Sequence, residues 1–186
     1  MRLFIYLILL LFPVSGWSYS VGSRLETLEN ISPQRELKVR IFYPTAVDDE
    51  PQLLGSNRVF TGYRAIPDAP IASGRFPLIL LSHGSGGNNT SLAWLATALA
   101  EHGTIVVAAS HPGSTTGDSR PDTDLTLQTR DLSLMLDHYL AAGKWKSAID
   151  VSKISAIGHS KGGYSVLALA GGLINRQRLN HYCEDM

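Results

Sequence analysis

Gly158-His159-Ser160-Lys161-Gly162 fits the pattern G-x-S-x-G, with the apolar stretch "ISAI" before it and "YSVLALAG" after it. A serine held in a sharp turn between a strand and a helix presents its hydroxyl as a nucleophile, and this context supplies both flanks. The turn strains the serine backbone and folds the chain back on itself, so the positions two before and two after must lack bulk. Glycine stands at both. The bland alternative, a chance turn of small residues at a helix start, does not require a strand on one side and a helix on the other. A second stretch, "SHGSGG" from Ser82 to Gly87, closes the apolar run "LILL". Its glycines allow a backbone N–H to approach a substrate carbonyl, and the N–H of Lys161 offers a second donor for the negative charge that develops there.

These two stretches need elements to hold them. "FPLILLSHG" is continuously apolar and bounded by turn residues, as in a parallel strand covered on both faces. A helix follows, capped by Asn89 or Thr90, with Leu92, Leu95, Ala96 and Leu99 on one face and Gly103 closing it. The unit repeats with strand "TIVVAAS", a polar loop through Asp124, and a helix carrying Leu132, Met135, Leu136, Tyr139 and Leu140 at helical spacing before Gly143. "ISAIG" is the third strand of this series, and the last helix is expected from about Lys161 to Asn175. Upstream, residues 24–29 and "LKVRIFY" read as an antiparallel pair turning near Asn30 to Pro33, with Leu37, Val39, Ile41 and Tyr43 alternating against Lys38, Arg40 and Phe42. Residues 44–75 are rich in Pro, Gly, Asp and Asn and read as a surface excursion. Strands alternating with helices predict an α/β domain with a mostly parallel sheet.

The Gly-rich loop has a rival reading as a dinucleotide fingerprint. Asn89 stands where its third glycine belongs, and the next strand ends in Ser110-His111 where an acidic residue would hold a ribose. Taken in order, "RELKVRIFYPT", "GRFPLILLSHGSGG", "ASHPGSTTGD" and "ISAIGHSKGGYSVLALAG" resemble the bacterial predicted dienelactone hydrolase group related to platelet-activating-factor acetylhydrolases, within the α/β-hydrolase superfamily. The resemblance runs from about Leu37 to Gly172. It implies Ser160 as nucleophile, an oxyanion hole from the backbone N–H groups of Ser85 and Lys161, carboxylic esters or lactones as substrates, a small-molecule or lipid ester as partner, and no metal or organic cofactor. Dienelactone hydrolases proper use cysteine, so the serine points to the acetylhydrolase branch.

The triad of this superfamily runs Ser, then Asp or Glu, then His, yet only 26 residues follow Ser160. His181, Glu184 and Asp185 have the right chemistry on a segment that leads away from the serine, and read as solvated tail residues. His83 and His159 occupy motif positions that face the protein. His111 ends a strand on the site's side but precedes the serine, which favours a structural or lining role over that of base. Asp131 reads as first-turn charge favourable to a helix dipole, and the Lys161 side chain as solvated. The expectation is the N-terminal part of an α/β-hydrolase domain, cut after the nucleophile helix, with base and acid beyond Met186 and no turnover by this chain alone. A non-catalytic ester- or lipid-binding remnant is the alternative from another class. A minimal enzyme would need His111 or His181 to reach Ser160.

Composition agrees with one domain. Of 186 residues 44% are hydrophobic, and 16 Lys and Arg balance 16 Asp and Glu without charge blocks, so nothing marks a nucleic-acid surface. Arg2, the apolar run Leu3 to Phe12 and the spacing Ser18-x-Ser20 form a secretory signal over residues 1–20, too short an apolar run to span a bilayer. The mature chain, 21–186, is expected to be secreted or periplasmic with no stable membrane anchor once the signal is cleaved. Cys183 is the only cysteine and has no partner within the chain. Asn30-Ile31-Ser32 and Asn89-Thr90-Ser91 are treated as chance glycosylation matches.

Overall fold

The computed structural model describes residues 18–32, 35–120, 126–141 and 143–185, so the expected signal falls almost wholly outside the described residues. The chain opens with β1 (Ser20–Ser32) and β2 (Arg35–Thr45), an antiparallel pair in which Ser20 faces Thr45 and Leu28 faces Leu37. The alternation in β2 does what it predicts on one face, where Leu37, Val39, Ile41 and Tyr43 enter the larger core. Phe42, assigned by the same alternation to the polar face, is also fully buried, because the sheet is covered on both sides.

The excursion over 44–75 is more ordered than its composition suggests. It contains β3 (Gln52–Leu54) and β4 (Tyr63–Pro67), which pair with each other and extend the sheet through parallel β4–β1 contacts. Tyr63, Ala65 and Ile66 bury their side chains there, a tertiary gain that outweighs the local preference for loop.

The remaining elements alternate as expected: β5 (Phe76–Ser82), α1 (Ala93–Glu101), β6 (Ile105–Ser110), a small hairpin of β7 (Ser114–Thr115) and β8 (Asp118–Ser119), α2 (Thr126–Ala141), α3 (Gly143–Ala148), β9 (Ile149–Gly158), α4 (Lys161–Leu169) and α5 (Arg176–Glu184). The sheet order is β3-β4-β1-β2-β6-β5-β9. Its β6-β5-β9 part is parallel, so the carboxyl ends of these strands emerge together, where α/β folds place their sites.

Period-two alternation splits β6 between two cores. Ile105, Val107 and Ala109 meet Leu132, Met135 and Tyr139 of α2 on one face, while Val106 and Ala108 meet Ala93, Ala96 and Ala100 of α1 on the other. Glu26 of β1 pins the first of these layers, accepting from Tyr139 Oη at 3.2 Å and Trp145 Nε1 at 3.1 Å. Three details depart from the sequence reading. Neither Asn89 nor Thr90 caps α1, whose N-cap is Leu92 without a side-chain bond. The third parallel strand is longer than "ISAIG", running from Ile149. The last helix breaks at Gly171, with φ of 93°, and restarts as α5 under an Asn175 cap whose Oδ1 accepts from the Arg178 N–H at 3.0 Å. Among the described residues β9 ends the sheet order and pairs with β5 alone, so within them the strand leading to Ser160 is an edge.

Candidate active site

Ser160 sits between β9 and α4 with φ of 53° and ψ of −121°, a sparsely populated conformation for any residue that carries a Cβ. The flanking glycines explain how the chain tolerates it. A Cβ on Gly158 would run into the Gly162 carbonyl, and one on Gly162 would run into the Ser82 carbonyl. The start of α4 therefore lies directly on the end of β5, and the turn is closed by Gly162 N–H to His159 O at 2.9 Å and Gly163 N–H to Ser160 O at 2.8 Å.

That packing brings the Gly-rich loop against the serine. A Cβ on Gly84 would lie 3.1 Å from the Ser160 Cβ. Ser85 and Ser160 are both exposed and line one cleft of about 560 Å3, together with His83, Gly84, Gly86, Gly87, Ser91, Leu92, Trp94 and His159. Among the described residues neither the Ser85 N–H nor the Lys161 N–H has a hydrogen-bond partner, and Lys161 opens a nine-residue helix whose dipole is positive at that end.

His83 orients the first of these amides. Its Nε2 accepts from the His111 N–H at 3.2 Å, which leaves Nδ1–H to donate to the Gly84 carbonyl at 2.6 Å. With that carbonyl held toward His83, the trans peptide turns the Ser85 N–H the other way. Burial lowers the His83 pKa to about 4, reinforced by nearby His111 and Lys161 and opposed by the Gly84 bond, so the ring stays neutral in the required tautomer.

The loop is clamped from its other side by the β7 hairpin. Gly86 N–H donates to Ser114 O at 3.0 Å, Thr116 N–H to Gly87 O at 2.9 Å, and the Thr115 and Thr116 hydroxyls to the Gly87 and Gly86 carbonyls, each at 2.7 Å. Lys161, expected to be merely solvated, reaches back to the same hairpin: its Nζ donates to Ser114 Oγ at 3.4 Å. Ser114 also accepts from Gln128 Nε2 at 3.1 Å, and Gln128 Oε1 accepts from Ser165 Oγ at 3.0 Å, tying α2 to α4.

His111 and Asp131 do not join Ser160. His111 is fully buried, with Nδ1 3.0 Å from Asp131 Oδ2 and Nε2 3.0 Å from Ser82 Oγ. With Nδ1–H directed at the carboxyl, Nε2 accepts the Ser82 hydroxyl proton. The expectation for His111, structural over base, fits this geometry. That for Asp131 is corrected: it lies one turn inside α2, fully buried, and anchors the imidazole. No local spacing joins Ser82, His111 and Asp131, which come from three elements. His159 also differs, being exposed in the cleft instead of facing the protein. His181 of α5 and Asp185, the residue that caps its C-terminus, form an exposed pair at 3.5 Å, and neither lines the Ser160 cleft. Among the described residues no group of three or more His, Cys, Asp and Glu side chains is placed to hold a metal ion.

The chain is 35% identical over 103 residues to "Cutinase est1" of Thermobifida alba, a match covering 54% of this chain and 32% of that protein. It is 29% identical over 102 residues to "Chlorophyllase-2" of Arabidopsis thaliana, covering 54% of this chain and 31% of that protein. Among solved structures, a ferulic acid esterase from Streptomyces cinnamoneus superposes with a TM-score of 0.67 at 26% identity, over 82% of this chain and 56% of the esterase. The chain thus spans about a third of the length of these curated relatives. The family model for Chlorophyllase matches residues 64–182, from β4 through the strained serine and into α5. With strand, Gly-rich loop, serine turn and helix inside that one match, the chain belongs to the chlorophyllase family of the α/β-hydrolase superfamily.

Proposed function

We infer that the chain carries the nucleophile and oxyanion donors of a carboxylic ester hydrolase. The observation that carries this reading is the strained Ser160 packed against Gly84, beside two partnerless N–H groups at Ser85 and Lys161. Once a base takes its proton, Ser160 Oγ attacks the ester carbonyl carbon and the carbonyl oxygen takes the negative charge, bound by the Ser85 and Lys161 N–H groups; collapse then breaks the bond to the alkoxy oxygen, which takes up that proton and leaves as the alcohol, giving an acyl-serine. The relatives named for cutin, chlorophyll and ferulic acid are consistent with ester substrates, and the acetyl-ester or lactone type implied by the sequence resemblance enters on the same footing. Export, directed by residues 1–20, belongs to this proposal.

Among the described residues no histidine ring is hydrogen-bonded to Ser160: His83 and His111 have both ring nitrogens engaged, His181 pairs with Asp185, and His159, although it lines the same cleft, makes no bond to the serine hydroxyl. The isolated chain is therefore expected to lack turnover, with p-nitrophenyl acetate hydrolysis unchanged in Ser160→Ala. This same gap supports the second reading, a module that binds esters without cleaving them. Imidazole added as an external base separates the two. With a small fluorophosphonate, peptide mass spectrometry should find imidazole-dependent modification at Ser160 above every other serine. Labelling of Ser160 no greater than that of surface serines rejects the nucleophile and leaves the binding module.

A further inference from the structure

We propose that the groove between the β3–β4 loop and the start of α1 is a subsite for an aromatic ring of a ligand whose reacting carbonyl lies at Ser160. The proposal deepens the ester-hydrolase reading and rests on it for the reacting atom. The groove has a volume of about 100 Å3 and is walled by Phe60 and Trp94, with Tyr63 among its lining. Phe60 is 53% and Trp94 69% exposed, so both present large apolar faces to solvent, whereas Tyr63 is buried at 6%. Ser91 and Trp94 line both this groove and the Ser160 cleft, so the two lie side by side with Trp94 between them. A ligand held at Ser160 can therefore extend past Trp94 without leaving the surface.

The shape and chemistry favour a ring over a long chain. A space near 100 Å3 is smaller than an enclosed cavity of about 150 Å3 that accepts benzene, but this groove opens to solvent between the exposed Phe60 and Trp94, so it can seat one face of a flat group and is too small for a long chain. Phe60 and Trp94 can each meet a third ring by stacking or edge-on contact, and the thiol-free, uncharged lining adds only hydroxyl and amide partners from Thr61, Thr90, Ser91 and Asn88. Phe60 is kept out of the core by construction: Asn57 Oδ1 accepts from the Val59 and Phe60 N–H groups at 2.8 and 3.0 Å, and Asn57 N–H donates to Phe60 O at 2.9 Å. The loop thus holds an aromatic face toward solvent in a fixed turn, beside the cleft, which lowers the ordering cost of binding there.

The test is equilibrium binding to the full chain, read by calorimetry, with three probes: methyl cinnamate, with the ring on the acyl side; benzyl acetate, with the ring on the alcohol side; and methyl octanoate as the aliphatic control. The expected result is that one aryl ester binds on the order of tenfold more tightly than methyl octanoate. Trp94→Ala and Phe60→Ala should each abolish that preference, and Trp94→Phe should restore most of it. Both side chains are exposed, and unchanged thermal unfolding of the variants confirms their fold. Equal affinity for all three probes, or a preference that survives both alanine variants, overturns the subsite. Ser160 labelling of the wild-type chain is a separate reading: if it fails while the aryl preference holds and depends on Trp94 and Phe60, the hydrolase assignment falls and the ring site stands.

Discussion

Ser82 and Ser160 lie at the ends of neighbouring parallel strands, and their surroundings are opposite. Ser82 has what a nucleophile needs by way of partners, an imidazole 3.0 Å away backed by a carboxyl, but it is sealed, with no exposed surface on Ser82, His111 or Asp131. Ser160 faces the cleft beside two free amides and lacks such partners among the described residues. Arrangement of serine, histidine and aspartate is thus insufficient to mark a site of chemistry. The buried trio satisfies polar groups in the interior and contributes to stability, while the exposed serine stores backbone strain of the kind the proposed nucleophile role would use. The two are linked through main chain, because the His111 N–H fixes His83, and His83 fixes the peptide that offers the Ser85 amide.

If this contrast is right, substitutions in the sealed trio cost stability, and substitutions at the open serine do not. The largest effect is expected from Asp131→Ala, which strands a buried imidazole N–H and opens a cavity, at about 3–5 kcal/mol by chemical denaturation. A loss below about 1 kcal/mol would mean that the trio is not the closed unit described.

Acid should act on the same side of the comparison. The folded pKa of His83, about 4, lies below the ordinary 6.5, so the unfolded chain binds the proton more readily. Its contribution is fully present above about pH 6.5 and is lost as pH falls toward 4, amounting to about 3 kcal/mol across that window. His83→Gln should flatten the pH dependence of unfolding between 7 and 4. Parallel curves for both proteins would show that the imidazole is not held neutral.

The smallest effect has the opposite sign. Ser160→Gly relieves the φ of 53° and should stabilise the chain by about 1 kcal/mol, the strain released less the added flexibility of the unfolded state. A destabilised Ser160→Gly, measured in the same denaturation series, would place the serine side chain among the structural contacts and remove the distinction from Ser82.

Sequence alone determined the serine turn and the elements around it. Gly158, Ser160 and Gly162 declare their backbone because only glycine tolerates the approach to the Gly162 and Ser82 carbonyls, and the parallel strands declare themselves through apolar runs whose period is local. The order of β3 and β4 was hidden, since those short segments are strands only because the edge of β1 and the buried Tyr63 hold them. Tertiary structure also decided the fate of the histidines. Whether His111 serves chemistry or packing depends on Asp131, twenty residues away on another element, and on a depth of burial that no spacing records. The same holds for Lys161, whose ammonium is bound by a hairpin 47 residues upstream, and for the groove of Phe60 and Trp94, which exists because two distant segments meet over one sheet. Local backbone geometry is written in neighbouring residues; the partners and exposure of a side chain are set by whatever the fold brings against it.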